Sequence, residues 1–452
     1  MENKTGRVKE ALRRVMRRRF AAAAILLWVL AAPVTAGAAT RLIVRTGNLL
    51  SLEGVCALLG CQVQYGLGDP QGQLFLVTSP LDLPVNQVVS IPGVLDAEVD
   101  QTGYTLDAVS QGTVPSALYD STPISYYGTT VRHGYVYQPA TQIVRLADAQ
   151  STFQVSGAGI VAVIDTGVDT THPVLQHVLL PGYDFTRNQA GADEKGDVNQ
   201  STTAVVDQST TAVVDQSTTA VVDQSTTAVV DQATGSNLNQ PQYRAFGHGT
   251  MTSGIVHLVA PRAWILPLKA FHVDGSGYES DVLRAIYYAV RNHANVLSMS
   301  FSFPTPSQEL QQALSYANLN GVIAAAAAGN SGEQTLVYPA AYQSLVMGVA
   351  STSNNDTLST FSNYGPNLVW VGAPGEGIVT LYPYSTYAAT WGTSFSTPFV
   401  AGTAALLFDL RPLLCTESGA AQAIAHARYI SPAAGHGRLD VYQALQAWQN
   451  PF

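Results

Sequence analysis

The sequence is short of cysteine, of charge and of long apolar runs, and each shortage closes off a class of protein. Three Cys in 452 residues cannot build a disulfide framework or a cysteine-rich metal site. Cys56 and Cys61 are close enough to pair, which would leave Cys415 as a small buried hydrophobe near a helix end. Charged residues make up 12% against 46% hydrophobic, the balance of a compact extracellular enzyme rather than of a disordered chain. Basic residues are few and crowd into the first 38 positions, where eight Lys and Arg face two Glu. The remainder carries a net charge of −15, which phosphate backbones would repel, so nucleic acid is not an expected partner. No apolar run reaches the ~20 residues of a membrane span, and no stable membrane association is expected. The run Phe20 to Val34 follows the basic start and leads into Thr35-Ala-Gly-Ala-Ala39. That is a signal peptide over 1–38 with cleavage after Ala38, an uncleaved anchor being the alternative. The expected destination is the periplasm or the extracellular space. The Sec route fits, and Arg17-Arg18-Arg19-Phe20 also fits the twin-arginine pattern.

What is present falls into two parts. Residues 41–108 read β-α-β-β-α-β: strands at 41–46, 61–65, 73–78 and 94–99, helices at 49–59 and 84–91, the ferredoxin-like α+β order. From Ser110 to about Gly134 the chain is polar, Tyr-rich and turn-rich, which reads as an exposed linker. Beyond residue 139 apolar strands (159–164, 265–271, 296–301, 322–328) alternate with amphipathic helices (280–293, 307–319). The alternation predicts a doubly wound α/β domain, a mostly parallel sheet flanked by helices, with ligands outside the carboxyl ends of its strands. One segment stands apart: Ser201 to Gln232 is Ser-Thr-Thr-Ala-Val-Val-Asp-Gln written four times. Such a unit has too few large apolar groups to offset its ordering entropy, so it reads as a low-complexity insertion of about 187–241 on a surface loop; an even period also leaves stacked strands conceivable.

Amide hydrolysis needs a nucleophile, a base, a group that orients the base, and donors for the oxyanion. Asp165 ends the buried strand Val161-Ala-Val-Ile, where an acid is costly unless it works or is hydrogen-bonded; Asp169 in the following turn is its rival. His248, in Gly-His-Gly-Thr, has small flanking residues that let the backbone approach closely, a setting no other histidine shares. Ser394, in Trp-Gly-Thr-Ser, opens an apolar helix from Phe399 to Leu410, so the macrodipole and its own N–H favour an oxyanion there. An N-cap serine would look the same, and Ser396 is the nearby rival. Asn330, after the small-residue strand Ala324 to Ala328, can offer a side-chain amide as second donor, or be a turn residue.

Asp, His and Ser in that order, with Asn between the last two, resembles the subtilisin-like serine peptidases over about residues 139–452. Asp165-Thr-Gly, His248-Gly-Thr and Gly392-Thr-Ser394 match that family's three signatures, and Gly437-Arg-Leu-Asp440 its closing stretch. The resemblance implies a serine endopeptidase acting through an acyl-enzyme on Ser394, with protein or peptide substrates. The 39–109 unit then resembles the family's propeptide, an intramolecular chaperone and inhibitor removed at a maturation site in 110–129, with the catalytic domain over 130–452. The resemblance also implies two peptide-binding edges, at Ser276 and Gly277 and at Ser300, Phe301 and Ser302, and a pocket wall at Ala328 and Gly329. Such edges add the substrate as an extra strand, with weak demand on its sequence.

The sequence departs from the family in places. Phe395-Ser396 replaces the usual Met-Ala, and Met251 stands where His is common. The helix after His248 runs into Val259-Ala-Pro261 without the calcium-binding bulge of many relatives, so no metal ligand is assigned and structural calcium stays open. Asp165 and His248 are 83 positions apart in sequence, most of the excess being the repeats. Other readings are a catalytically silent binding or scaffold protein on this fold, an adhesion protein whose repeats are the functional part, and a Ser-Glu-Asp peptidase, which would lack His248.

Overall fold

The computed structural model describes residues 40–105, 113–200, 227–229, 243–412 and 416–449; the expected signal peptide and Cys415 lie outside them. It divides into two compact units, Met1–Asp100 and Gln101–Phe452.

In the first unit β1 (Thr40–Thr46), α1 (Leu49–Leu59), β2 (Gln62–Gly66), β3 (Leu74–Ser79), α2 (Val85–Val89) and β4 (Val94–Val99) follow the order read from the sequence. The sheet runs β2-β3-β1-β4 and is antiparallel throughout. Asn48 caps α1 by accepting from the Ser51 N–H, and Gly60 ends it in the left-handed conformation that glycine adopts without strain. Cys56 and Cys61 are bonded across that turn. Leu42, Val44, Leu52, Val77 and Val88 form the core, so the alternation of β1 and the period of α1 both point inward.

The second unit is built on an eight-stranded sheet. Its members are β8 (Ile160–Asp165), β9 (Tyr183–Asp184), β10 (Gln189–Ala190), β12 (Trp264–Lys269), β14 (Val296–Met299), β16 (Ile323–Ala327), β17 (Met347–Thr352) and β18 (Val371–Pro374), in the order β10-β9-β12-β8-β14-β16-β17-β18. All its pairings are parallel except β9 with β10. β8 lies between β12 and β14, so the chain winds away from it in both directions, and the crevice at its carboxyl end is the topological switch point. Val161, Ala162 and Ile164 are fully enclosed, as a sheet covered on both faces requires. The long helix from Thr393 to Leu410 packs beneath β14, β16, β17 and β18. Beside the main sheet, β19 (Glu376–Tyr382) and β20 (Thr386–Trp391) form a hairpin.

Two boundaries differ from the sequence reading. The expected linker of 110–129 is folded from residue 113 onward, with a hairpin of β6 (Pro123–Tyr126) and β7 (Thr129–Arg132). Tyr126 in that hairpin and Tyr135 just after it are buried, and their hydroxyls find carbonyl acceptors: Tyr126 donates to Leu258 O and Tyr135 to Gly254 O, each at 2.6 Å. The insertion expected from 187 begins later. Residues 187–197 belong to the second unit, where Asp197 pairs with the buried Lys269 at 2.8 Å and Arg187 pairs with both Asp184 and Asp197. The repeat, read mainly as a surface loop, contributes β11 (Thr227–Val229) from its fourth copy, antiparallel to β20 at Thr390, Ala389 and Ala388.

Candidate active site

The strand order brings the three signature segments to one rim. Asp165 is the last residue of β8 and is 1% exposed. A carboxylate there needs donors, and it has three: the His248 Nδ1–H at 2.7 Å, the Thr166 N–H at 2.7 Å and the Thr252 hydroxyl at 3.1 Å. Because the carboxylate only accepts, Nδ1 carries the proton and Nε2 is the nitrogen left to act as a base. Asp169 is otherwise engaged, by Lys195 Nζ at 2.5 Å and by the Tyr384 N–H at 2.8 Å.

His248 opens the helix His248–Val259. Its glycine neighbours are there for room. A Cβ on Gly249 would sit 1.9 Å from the Gly167 carbonyl oxygen, and one on Gly247 would sit 2.4 Å from the Tyr382 ring, at a φ of 85° as well.

Ser394 is the second residue of the helix Thr393–Leu410, and the imidazole of His248 lies 5.4 Å, centroid to centroid, from the ring of the adjacent Phe395. Pro398 sits inside this helix. It has no N–H to give the carbonyl four residues back, which is that of Ser394. The Ser300 hydroxyl donates to that carbonyl instead, at 2.8 Å, and the Ser394 hydroxyl in turn reaches Ser300 O at 3.4 Å. Ser300 therefore ties the Ser394 turn to the end of β14. The rival Ser396 is enclosed against Gly375, where an added Cβ would come within 2.3 Å of its Oγ.

Asn330 follows β16 through Ala328 and Gly329. Its Oδ1 accepts from both the N–H and the hydroxyl of Thr393, each at 2.9 Å. A backbone N–H can bond only the oxygen of the amide, so Nδ2 is its donor end; Thr393, which orients the amide, directly precedes Ser394. Gly329, at φ 101°, has no space for a side chain beside Asn363.

The two edges read from the resemblance do face each other. β13 (Ser276–Tyr278) and β15 (Phe301–Ser302) flank β5 (Thr102–Thr105), which pairs antiparallel with both. Gly277 is opposite Gly103, Phe301 opposite Thr105, and Thr105 donates its N–H to Gly275 O at 2.9 Å. The chain thus lays its own segment along the crevice as an added strand. Ala328 and Gly329 stand at the end of β16, with Gly329 N–H 3.2 Å from the Thr393 hydroxyl.

Sequence reasoning missed a carboxylate, Glu194. It is buried, and it accepts from the Thr250 hydroxyl, from the Gly247 N–H at 3.1 Å and from the Thr166 hydroxyl at 3.2 Å. It therefore bridges the turn after Asp165 and the start of the His248 helix. No periodicity marks it, because it lies in an irregular stretch after β10; an acid 54 residues before His248 gives no local signal. Burial lifts its carboxyl from the ordinary 4.5 to about 7, against the lowering effect of the Thr250 bond and of Lys269. Burial likewise brings the Lys269 ammonium down to about 8; it donates to Thr166 O, Phe271 O and Asp197. Folded Glu194 keeps its proton between pH 4.5 and 7 while the unfolded chain loses it, so its contribution to stability falls as pH rises through that window. Glu194→Gln removes this dependence. Relative to the parent, the variant gains stability from pH 4.5 to pH 7 by on the order of 3 kcal/mol and then levels off. Thermal melts across that range, with Ser394→Ala as common background to prevent autolysis, measure the difference; parallel curves would rule the linkage out.

No group of three or more His, Cys, Asp or Glu able to hold a metal occurs among the described residues. The acids of this corner, Asp169, Asp184 and Asp197, have Lys195, Arg187 and Lys269 as partners, a set that does not suit a divalent cation.

Comparison with known proteins shows the family. The model of the subtilase family matches residues 157–439. Thermitase of Thermoactinomyces vulgaris is 34% identical over 280 residues, 60% of this chain and 81% of thermitase. Subtilisin BL of Lederbergia lenta is 39% identical over 175 residues, 37% of this chain and 64% of that protein. Fervidolysin from Fervidobacterium pennivorans, described as a keratinolytic enzyme related to subtilisin, aligns with a TM-score of 0.65 over 91% of this chain and 61% of that one. At 19% identity that likeness shows the fold.

Proposed function

The chain belongs to the subtilase family and is a subtilisin-like serine endopeptidase, and from that premise we propose that Asp165, His248, Ser394 and Asn330 perform the hydrolysis and that the enzyme is made as a secreted precursor that processes itself. His248 Nε2 takes the Ser394 proton as Oγ attacks the peptide carbonyl carbon, and the carbonyl electrons move to the oxygen. Asn330 Nδ2 and the Ser394 N–H stabilise that oxyanion. His248 then gives the proton to the leaving amine, the C–N bond breaks, and an acyl-enzyme remains. Water, deprotonated by the same imidazole, attacks the ester and releases Ser394. Asp165 holds the imidazole in the required tautomer and offsets its charge throughout. The observation that carries this reading is the Asp165–His248 pair beside the Ser394 turn, with Asn330 oriented by Thr393.

Self-processing is supported by β5. A segment that continues from the first unit lies between β13 and β15 in the manner of a bound peptide, so the first unit is read as inhibitor and the cut falls in the stretch between Thr105 and the hairpin at Pro123. The signal peptide and the secreted location belong to the same proposal, as does the assignment of Ser276, Gly277, Phe301 and Ser302 to peptide binding. The test is expression, fluorophosphonate labelling and N-terminal sequencing. Label on Ser394 and a mature N-terminus within 106–122 are the expected results; label elsewhere overturns the nucleophile, and an intact active chain overturns self-processing.

A further inference from the structure

Backbone pairing along a crevice would make few demands on peptide sequence. The side chains around β5 make two. An added Cβ on Gly103 would lie 2.5 and 2.7 Å from ring carbons of Phe303 and 2.9 Å from Ser302 O. Gly103 is not in a left-handed conformation, so what demands glycine here is the approach of Phe303 and not the backbone angle. Phe303 is fully buried. Its N–H donates to Tyr338 O at 2.7 Å, its carbonyl accepts from the Tyr338 N–H at 3.0 Å, and Phe301 lies edge-on at 5.9 Å. The ring is packed in place, and a side chain at this position would have to displace it.

Two residues earlier, the amide of Gln101 is matched at both ends. Its Nε2 donates to Glu279 Oε2 at 2.7 Å and to Thr305 O at 3.2 Å, while its Oε1 accepts from the Thr305 hydroxyl at 2.8 Å. The Glu279 N–H also donates to Gln101 O, at 3.0 Å. A glutamate there would set oxygen against the buried Glu279 carboxylate, and an alanine would leave its partners without the amide.

Register places these positions relative to the chemistry. Thr105 is opposite Phe301, so the next residue of a peptide lying this way falls opposite Ser300, whose carbonyl is 3.4 Å from Ser394 Oγ. The residue in the place of Gly103 is then fourth before the cut bond, and that in the place of Gln101 sixth.

We propose that this crevice is selective, admitting glycine at the fourth position before the cut because Phe303 fills the space a side chain would need, and favouring glutamine at the sixth through Glu279 and Thr305. Its substrates are peptides carrying Gln-x-Gly upstream of the bond, the pattern of the chain's own Gln101-Thr-Gly103. The inference rests on Ser394 being the nucleophile.

The test uses the mature enzyme and Gln-Thr-Gly-Tyr-Thr-Leu-p-nitroanilide, whose leucine is the residue that follows Thr105 in this chain. Changing glycine to alanine is expected to lower kcat/KM about 10- to 100-fold, mainly through KM. Changing glutamine to alanine is expected to lower it about tenfold. In Phe303→Ala the glycine-to-alanine ratio should fall to about threefold, and the peptide with leucine at that place should become a substrate. The peptide series on the parent enzyme stands even if that variant fails to fold. Glycine and alanine peptides cleaved within twofold of each other by an enzyme that digests casein would overturn the inference and leave the endopeptidase intact. No digestion of casein and no fluorophosphonate labelling would overturn the underlying reading instead.

Discussion

Ser394→Ala lowers kcat/KM on peptide substrates by about 10⁴-fold or more and leaves the precursor uncut. The expected loss is large because, in the mechanism proposed above, Oγ forms the bond to the substrate and no neighbouring group replaces it. Asp169 is held by Lys195, and Ser396 is enclosed against Gly375. Folding should survive the change. What holds the turn is the Ser394 carbonyl accepting from the Ser300 hydroxyl, and alanine keeps that carbonyl. A melting temperature within a few degrees of the parent, beside abolished turnover and abolished labelling, is the expected pattern. His248→Ala should lose about as much, and the double variant little more, because the two act as one unit. Residual activity within a hundredfold of the parent would remove Ser394 from its role.

Asn330→Leu is expected to lower kcat by about 10²- to 10³-fold with KM changed only a few-fold, a loss of about 3 to 4 kcal/mol of transition-state stabilisation. Leucine also removes the acceptor that holds Thr393, so it cannot by itself separate catalysis from support. Asn330→Asp does. Aspartate keeps the oxygen for the Thr393 N–H and hydroxyl, but it replaces the Nδ2 donor with a second acceptor facing a developing negative charge. A kcat loss at least as large as that of leucine, with an unchanged melting temperature, assigns the role to Nδ2. Activity retained in Asn330→Asp would make Asn330 a support for Thr393 and nothing more.

The segments that the structure gathers at one rim were legible before any coordinates, for local reasons. An acid ending an apolar strand, a histidine between two glycines and a serine opening an apolar helix each sit within a few residues of the feature that explains them. The first unit was legible too, because β1 and α1 bury the faces that their periods mark. Reading failed where a residue's stability depends on distant partners. Residues 113–134 look like linker by composition, yet Tyr126 within them and Tyr135 just beyond are buried with their hydroxyls on carbonyls of the His248 helix. Lys269 lies inside the expected strand 265–271 with nothing local to mark its partners, yet it is fully enclosed among two carbonyls and Asp197.

The sequence by itself determined the family of this protein and the α/β scaffold, and it singled out the carboxylate, imidazole and hydroxyl on which the proposed chemistry rests. Those are matters of residue type and of periods a few residues long. The tertiary structure alone decided what surrounds them. Glu194 beneath the pair, Ser300 supplying the hydrogen bond that Pro398 cannot, and Phe303 against Gly103 are contacts between segments from different parts of the chain. No local pattern encodes such distances; they exist only once the sheet has set its strand order and brought the ends of β8, β14 and β16 to one rim.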